Sequence, residues 1–234
     1  MFLQDFVKID KLMDDNAKRA YEELKKIYES SDEAKTDVEL LWRLGKACFL
    51  WANTMPKKDS VRKRLIFEGR AYATAAYAND ESNFEALRWL AILVGSCTDF
   101  MGPKEKIEQG KIFKMYLDRA IEAEPNEFTM LHSRGRFSYE VANLSWVERR
   151  LCNALFSQVP SATIEEALSD FLEAEKCAQF VWPENLLYIV RCYALKKDKK
   201  HATMYLEKAE EVEHPDEATR EALTEVRCMV AKLK

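Results

Sequence analysis

The chain lacks the short motifs that carry most enzyme chemistry. No HExxH, GxSxG, GxGxxG or phosphate-binding loop occurs in its 234 residues. The three histidines, His132, His201 and His214, are too scattered to form a metal or nucleophile motif. No catalytic residue, cofactor or metal site is therefore expected, and the chain does not read as an enzyme. Six cysteines, Cys48, Cys97, Cys152, Cys177, Cys192 and Cys228, make no CxxC pair and fall mostly at apolar helical positions. That pattern suits reduced core thiols of an intracellular protein better than a disulfide scaffold.

Long apolar runs are also missing. The best candidate, Leu87 to Gly95, is interrupted by Arg88 and falls far short of the roughly 18 to 20 residues that span a bilayer. Met1 to Val7 contains Asp5 and no small-residue cleavage pattern, so it is not a signal peptide. The expectation is a soluble, cytoplasmic protein with no transmembrane segment. With only 6 Gly and 6 Pro, no obvious linker and 47% hydrophobic residues, the chain is expected to form one compact all-helical domain over 1–234.

What the chain does have is a repeat. Runs of small and apolar residues at helical spacing end in an acidic turn and restart at once, most clearly over Ala120-Ile121-Glu122-Ala123-Glu124-Pro125-Asn126-Glu127-Phe128. Such a joint separates the antiparallel helix pairs of a tetratricopeptide-type array. First helices share a column: Leu41, Leu44, Gly45, Cys48; Leu87, Leu90, Ala91, Val94; Leu131, Arg134, Gly135, Ser138; Leu186, Ile189, Val190, Tyr193. Second helices repeat a small-apolar-small rhythm at Gly69, Ala73, Ala76; Phe113, Leu117, Ala120; Ala167, Phe171, Ala174; and Ala202, Leu206, Ala209, with Phe113 breaking the small-residue rule. Small residues are needed where the helices of a pair cross closely. The fold class is thus an all-α, right-handed tetratricopeptide-like solenoid with insertions within its units. Repeat units are placed at 37–82, 83–126, 127–181 and 182–214, after a degenerate leading pair over 1–36 marked by Ala17, Tyr21 and Leu24, and before a capping helix over 215–234.

Start signals agree with this division. Thr36 to Glu39, Ser82 to Glu85, Ser145 to Glu148 and Thr163 to Glu166 have capping-box spacing, and Pro183 and Pro215 suit first-turn positions. The equivalent leucines 41, 87, 131 and 186 recur at steps of 46, 44 and 55 residues, longer than the usual repeat of about 34. The excess lies between the first and second helix of each unit, at Asn53 to Arg64, Ser96 to Lys111 and Leu144 to Ala162. Turns of one kind stack along one edge of a solenoid, so these insertions should crowd one rim. The third is long enough to hold a helix of its own, capped by Ser145. Trp146 is expected to anchor it by burial, with Leu151, Leu155 and Phe156 at compatible spacing.

Several of these segments are distinctive beyond the repeat rhythm. Glu140-Val141-Ala142-Asn143-Leu144-Ser145-Trp146-Val147-Glu148-Arg149, with Ala154-Leu155-Phe156 downstream, resembles the signature of the regulator of microtubule dynamics family. The resemblance extends over Leu41-Trp42-Arg43-Leu44, Lys104-Glu105-Lys106-Ile107-Glu108-Gln109-Gly110 and Tyr205-Leu206-Glu207-Lys208-Ala209, covering roughly Asp37 to Val212. It implies a tetratricopeptide-like protein that associates with tubulin and microtubules, acts with other spindle proteins in spindle organisation and chromosome segregation, and is found on the cytoskeleton, spindle and spindle poles. Some relatives carry an N-terminal membrane anchor and sit at organelle contacts, where lipid binding has been proposed; this chain is expected to depart from them.

Charge separates the two kinds of turn. Turns within units are basic: Asn53 to Arg64 nets +4 and Lys196 to His201 +3, with +1 each over Ser96 to Lys114 and Leu144 to Thr163. Turns between units are acidic, from −2 over Glu173 to Glu184 to −5 over Glu207 to Glu217. The overall −4 thus conceals two edges of opposite sign, and charges act locally because screening sets in over about 10 Å. A rim of Lys57, Lys58, Arg62, Lys63, Arg64, Lys104, Lys106, Arg149, Arg150, Lys196, Lys197, Lys199 and Lys200 would suit tubulin's acidic surface. The alternative is that these cations only complement the dipoles of the first helices. Nucleic acid is not an expected partner.

A second surface follows from repeat geometry, in which residues offset from the leading leucine line the concave face. Trp42, Lys46, Arg88, His132, Arg136, Tyr139 and Arg191 would form a cationic, aromatic groove for an acidic peptide or a phospholipid head group. Equally, these cations could pair internally with acids such as Glu85 and Glu184. The sequence therefore leaves two classes of function, a microtubule-binding module using the rim and a lipid- or peptide-binding adaptor using the groove.

Overall fold

The protein, described by a computed structural model over residues 3–56, 58–155, 162–212 and 217–233, contains helices and no strand among those residues. Two compact units divide the chain, Met1–Ala123 and Glu124–Lys234. The first holds α1 (Leu3–Asp15), α2 (Ala17–Tyr28), α3 (Val38–Asn53), α4 (Ser60–Asn79), α5 (Phe84–Cys97) and α6 (Pro103–Ala123), with short 3-10 turns at Ala34–Thr36 and Thr98–Phe100. The second holds α7 (Phe128–Ala142), α8 (Trp146–Leu155), α9 (Ile164–Cys177), α10 (Pro183–Leu195), α11 (Lys199–Glu210) and α12 (Glu217–Ala231). This is the all-α, tetratricopeptide-like class read from the periodicity.

In the first unit α3 packs on α4, α4 on α5 and α5 on α6, and α3 also meets α5 directly. Leu40, Leu41 and Leu44 of α3, Leu65 and Ile66 of α4, and Leu90 and Leu93 of α5 are buried between them. Gly45 and Gly69 mark the closest crossing. A Cβ at Gly69 would stand 2.9 Å from Cys48 Cβ and 3.2 Å from the Gly45 carbonyl oxygen. Phe113, the exception to the small-residue rule, is accommodated from the other side: a Cβ on Gly95 would lie 2.9 Å from its ring.

The second unit repeats the arrangement, with α7 against α9, α9 against α10, and α10 against α11 and α12. Phe171 fills its centre at 0% exposure, and a Cβ on Gly135 would lie 2.8 Å from that ring. Arg134 takes the place of an apolar residue in the α7 column. It forks onto Asp170 of α9 at 2.9 and 2.7 Å, so a charged pair bridges the helices there.

Two of the four capping boxes form as expected. Thr163 and Glu166 exchange bonds at the start of α9, and Ser145 and Glu148 at the start of α8. The other two are corrected by one residue: Asp37 caps α3 by accepting from Leu40 N, and Asn83 caps α5 by accepting from Ala86 N. Asp and Asn compete for the cap at least as well as Thr and Ser. Their presence releases Glu39 to bond Arg43 and Asn83, and Glu85 to bond Arg88 and the Trp89 indole. Pro183 opens α10 as its spacing suggests, whereas Pro215 lies outside the described residues.

The insertions are largely absorbed by helix. Ser60 to Arg64 belong to α4 and Pro103 to Lys111 to α6, making these helices 20 and 21 residues long. The third insertion carries α8, but Trp146 does not anchor it. Trp146 is 69% and Val147 67% exposed, and Phe156 lies outside the described residues. The attachment runs instead through Arg149, whose guanidinium donates to the Val141 and Ala142 carbonyls at the end of α7 and to the Leu144 carbonyl just beyond, with Leu151 half-buried and Cys152 buried.

Candidate binding surfaces

The cations proposed for a rim sort into two populations. Arg62 Nη1 donates to the carbonyls of Ala52 and Met55 at 3.0 and 3.1 Å, and Nη2 to Asn53 Oδ1 at 2.9 Å. Arg149 does the same for α7, reaching the Leu144, Val141 and Ala142 carbonyls. These two arginines donate to carbonyls at helix ends, adding to the turn bonds that Ala52 and Val141 already accept from Met55 N and Leu144 N, as the dipole alternative anticipates. Lys196 is tied to Glu165, and Lys199 donates to the Leu233 carbonyl. Lys57 lies outside the described residues.

Most of the remaining cations stand at the opposite kind of helix end. Lys63 and Arg64 occupy the first two turns of α4, Lys104 and Lys106 the first turn of α6, and Lys200 the first turn of α11; all are exposed. Lys58 precedes the α4 cap, and Lys197 closes α10 in the left-handed region at φ 59°, both exposed. Lys63 reaches over the Phe67 ring and Arg150 over Trp146, but neither makes an ion pair among the described residues. In the first unit these groups share an edge: Phe67 of α4 meets Phe100 with ring centres 6.4 Å apart, and Arg70 donates to Gln109 of α6 at 2.8 Å.

The groove residues are committed elsewhere. Trp42 is buried beneath Arg43, whose guanidinium lies 4.0 Å from the ring centre and pairs with Asp10 and Glu39. Lys46 leans toward Trp89 at 6.0 Å. His132 is buried, bonded through Nδ1 to Asn185 Oδ1 at 2.9 Å and packed 4.3 Å from the Trp182 ring. Because the Asn185 amide donates to the Phe171 carbonyl, its oxygen accepts, so Nδ1 donates to it. Arg88 pairs with Glu85 at 3.1 Å, Arg136 with Glu184 at 3.1 Å, and Arg191 with Glu225 at 2.8 Å. Of the two alternatives, the three arginines show internal pairing: each has an acid, and Glu85 and Glu184 are the acids that this alternative named.

Within the second unit these pairs gather around Tyr188. Arg136 and Arg191 lie 5.5 and 4.9 Å from its ring centre, and Tyr139 meets it edge-on at 5.4 Å. Burial pushes the Tyr139 hydroxyl up to about 12. His132, then Arg136 and Arg191, hold the Glu184 carboxyl below the usual range, and Arg191 does so for Glu225. Glu225, Asn185 and Tyr188 were not singled out from sequence, since pairing across helices leaves no signal in local spacing.

Comparison with known proteins decides which family this architecture comes from. The profile described as regulator of microtubule dynamics protein 1-3 matches residues 5–234. The chain belongs to the regulator of microtubule dynamics family. A relative from Caenorhabditis elegans, regulator of microtubule dynamics protein 1, is 39% identical over 208 residues, covering 88% of this chain and 89% of its own. The Bos taurus protein of the same name is 34% identical over 205 residues, and the match spans 65% of its length. A solved structure, that of the tetratricopeptide protein YrrB, aligns over 94% of this chain and 88% of its own at 19% identity and a TM-score of 0.49. Among the described residues of this family member, no helix is long and apolar enough to cross a membrane, and no group of three His, Cys, Asp or Glu side chains could hold a metal.

Proposed function

We propose that this chain is a non-enzymatic microtubule-associated protein whose basic helix starts meet the acidic surface of tubulin, and that through this contact it influences microtubule dynamics, spindle organisation and chromosome segregation. The family name, borne by relatives across nearly the whole chain, supports the microtubule part of the reading. One observation carries the contact: Lys104, Lys106 and Lys200 are exposed in the first turns of α6 and α11, and Lys63 and Arg64 are exposed at the fourth and fifth positions of α4. A cation near a helix N-terminus opposes the dipole, costing typically about 0.3 to 1 kcal/mol at an exposed site. Folding gives no reason to collect them there, whereas an acidic partner does.

The groove is the less favoured reading, since each of its three arginines holds a carboxylate. Co-sedimentation of the protein with polymerised tubulin across a salt series tests the proposal. Binding that weakens steeply as salt rises is the expected outcome, and absence of co-sedimentation at low salt would remove it.

A further inference from the structure

The tip of α8 presents an apolar residue pair that the fold does not use. Trp146 and Val147 are 69% and 67% exposed at the first two positions of the helix. Arg150, one turn on, lays its guanidinium 4.8 Å from the centre of the Trp146 ring. The helix is nevertheless held in place, since Arg149 bonds the last two carbonyls of α7 and that of Leu144 just beyond, and Cys152 is buried. A large aromatic left in water on a fixed support is poised to be covered by something else.

Charge nearby indicates what. α9 packs along α7, so the start of α9 lies near the end of α7 on which Arg149 seats α8. Lys196 is tied to Glu165 in the first turn of α9. That bond brings the turn carrying Lys197 and Lys200 to the same edge of this unit, and both lysines are exposed without an ion pair among the described residues. The edge thus combines an aromatic–aliphatic step with at least three cations, counting Arg150.

We infer that the α8 tip is the apolar anchor of a docking surface for an extended acidic segment that carries a bulky apolar residue. The cations attract the acidic segment, and Trp146 with Val147 covers the apolar side chain, setting which acidic segment is retained. The inference rests on the basic-edge reading above and adds selectivity to it. Aromatic anchors next to positive charge are the usual combination at binding hot spots.

The test uses two labelled peptides, octaglutamate and the same peptide with one central Phe, measured by fluorescence anisotropy against the full chain at low and moderate salt. The wild type is expected to hold the Phe peptide about ten-fold more tightly, in keeping with burial of one aromatic side chain. Trp146→Ala should abolish the preference while leaving octaglutamate binding in place, and Trp146→Phe should retain it. A wild type that binds both peptides equally, or a Trp146→Ala protein that keeps the preference, would overturn the inference and leave the basic-edge reading standing. Failure of the wild type to bind either peptide would overturn both. Circular dichroism melting accompanies each variant, and no shift is expected from a side chain this exposed.

Discussion

Arg62 Nη1 donates to the Ala52 carbonyl at 3.0 Å, so a residue that reads as part of a binding rim closes the end of α3 instead. Hydrogen bonds from a charged donor contribute roughly 1.5 to 3 kcal/mol when well shielded, and less where solvent reaches them. Arg62→Ala should lower unfolding stability by about 1 to 2 kcal/mol. Urea denaturation checks this, and an unchanged midpoint would show that the carbonyls are equally well served by water.

Gly69 stands where α3 and α4 cross, 2.9 Å separating its hypothetical Cβ from Cys48 Cβ and 3.2 Å from backbone oxygen of Gly45. Helix propensity alone favours alanine by about 1 kcal/mol. Overpacking costs about 1 to 3 kcal/mol, and backbone cannot yield as a flexible side chain does. Gly69→Ala is therefore expected to destabilise. A thermal melt at or above that of the wild type would mean that the pair separates freely.

Trp146→Ala should leave stability within about 0.5 kcal/mol of wild type, as surface changes do. An acrylamide-quenching comparison of the two proteins should show that the removed fluorescence is the accessible part. A loss of several kcal/mol would place Trp146 in a packed interface that the structure does not show.

Part of the acid sensitivity should come from two carboxylates of the second unit. Glu184 and Glu225 are held below the ordinary carboxylate range, chiefly by His132 and by Arg191 respectively. Their contribution is present above the unfolded value of about 4.3 and is lost as pH falls through the depressed folded values. A Glu184→Gln, Glu225→Gln double variant should be less stable at neutral pH and show a flatter stability profile on the acid side. Parallel profiles for variant and wild type would contradict the assignment.

The helical repeat was legible because small residues such as Gly45 and Gly135, and apolar columns such as Leu41 to Cys48, answer to local periodicity that no distant contact overrides. Caps were legible to within a residue, and the errors at Thr36 and Ser82 arose where Asp37 and Asn83 offered a competing acceptor one position later. Trp146 was misread for a different reason. Helical spacing identifies an apolar residue in an amphipathic segment but not whether that segment docks by its apolar side, and here Arg149 supplies the attachment. The arginine groove depended on cross-helix partners, and Glu225 on α12, 34 residues beyond Arg191, is invisible to any local pattern.

The central claim is that the cations at the starts of α4 and α6 are placed for a partner at the expense of the helices that carry them. The most direct measurement is microtubule co-sedimentation of a Lys63→Glu, Arg64→Glu, Lys104→Glu, Lys106→Glu variant, with its thermal melt recorded beside that of the wild type. The account predicts at least a ten-fold loss of binding, equivalent to about 1.4 kcal/mol, together with a melting temperature equal to or above that of the wild type, because acids suit helix N-termini. Undiminished binding by a folded variant would contradict it.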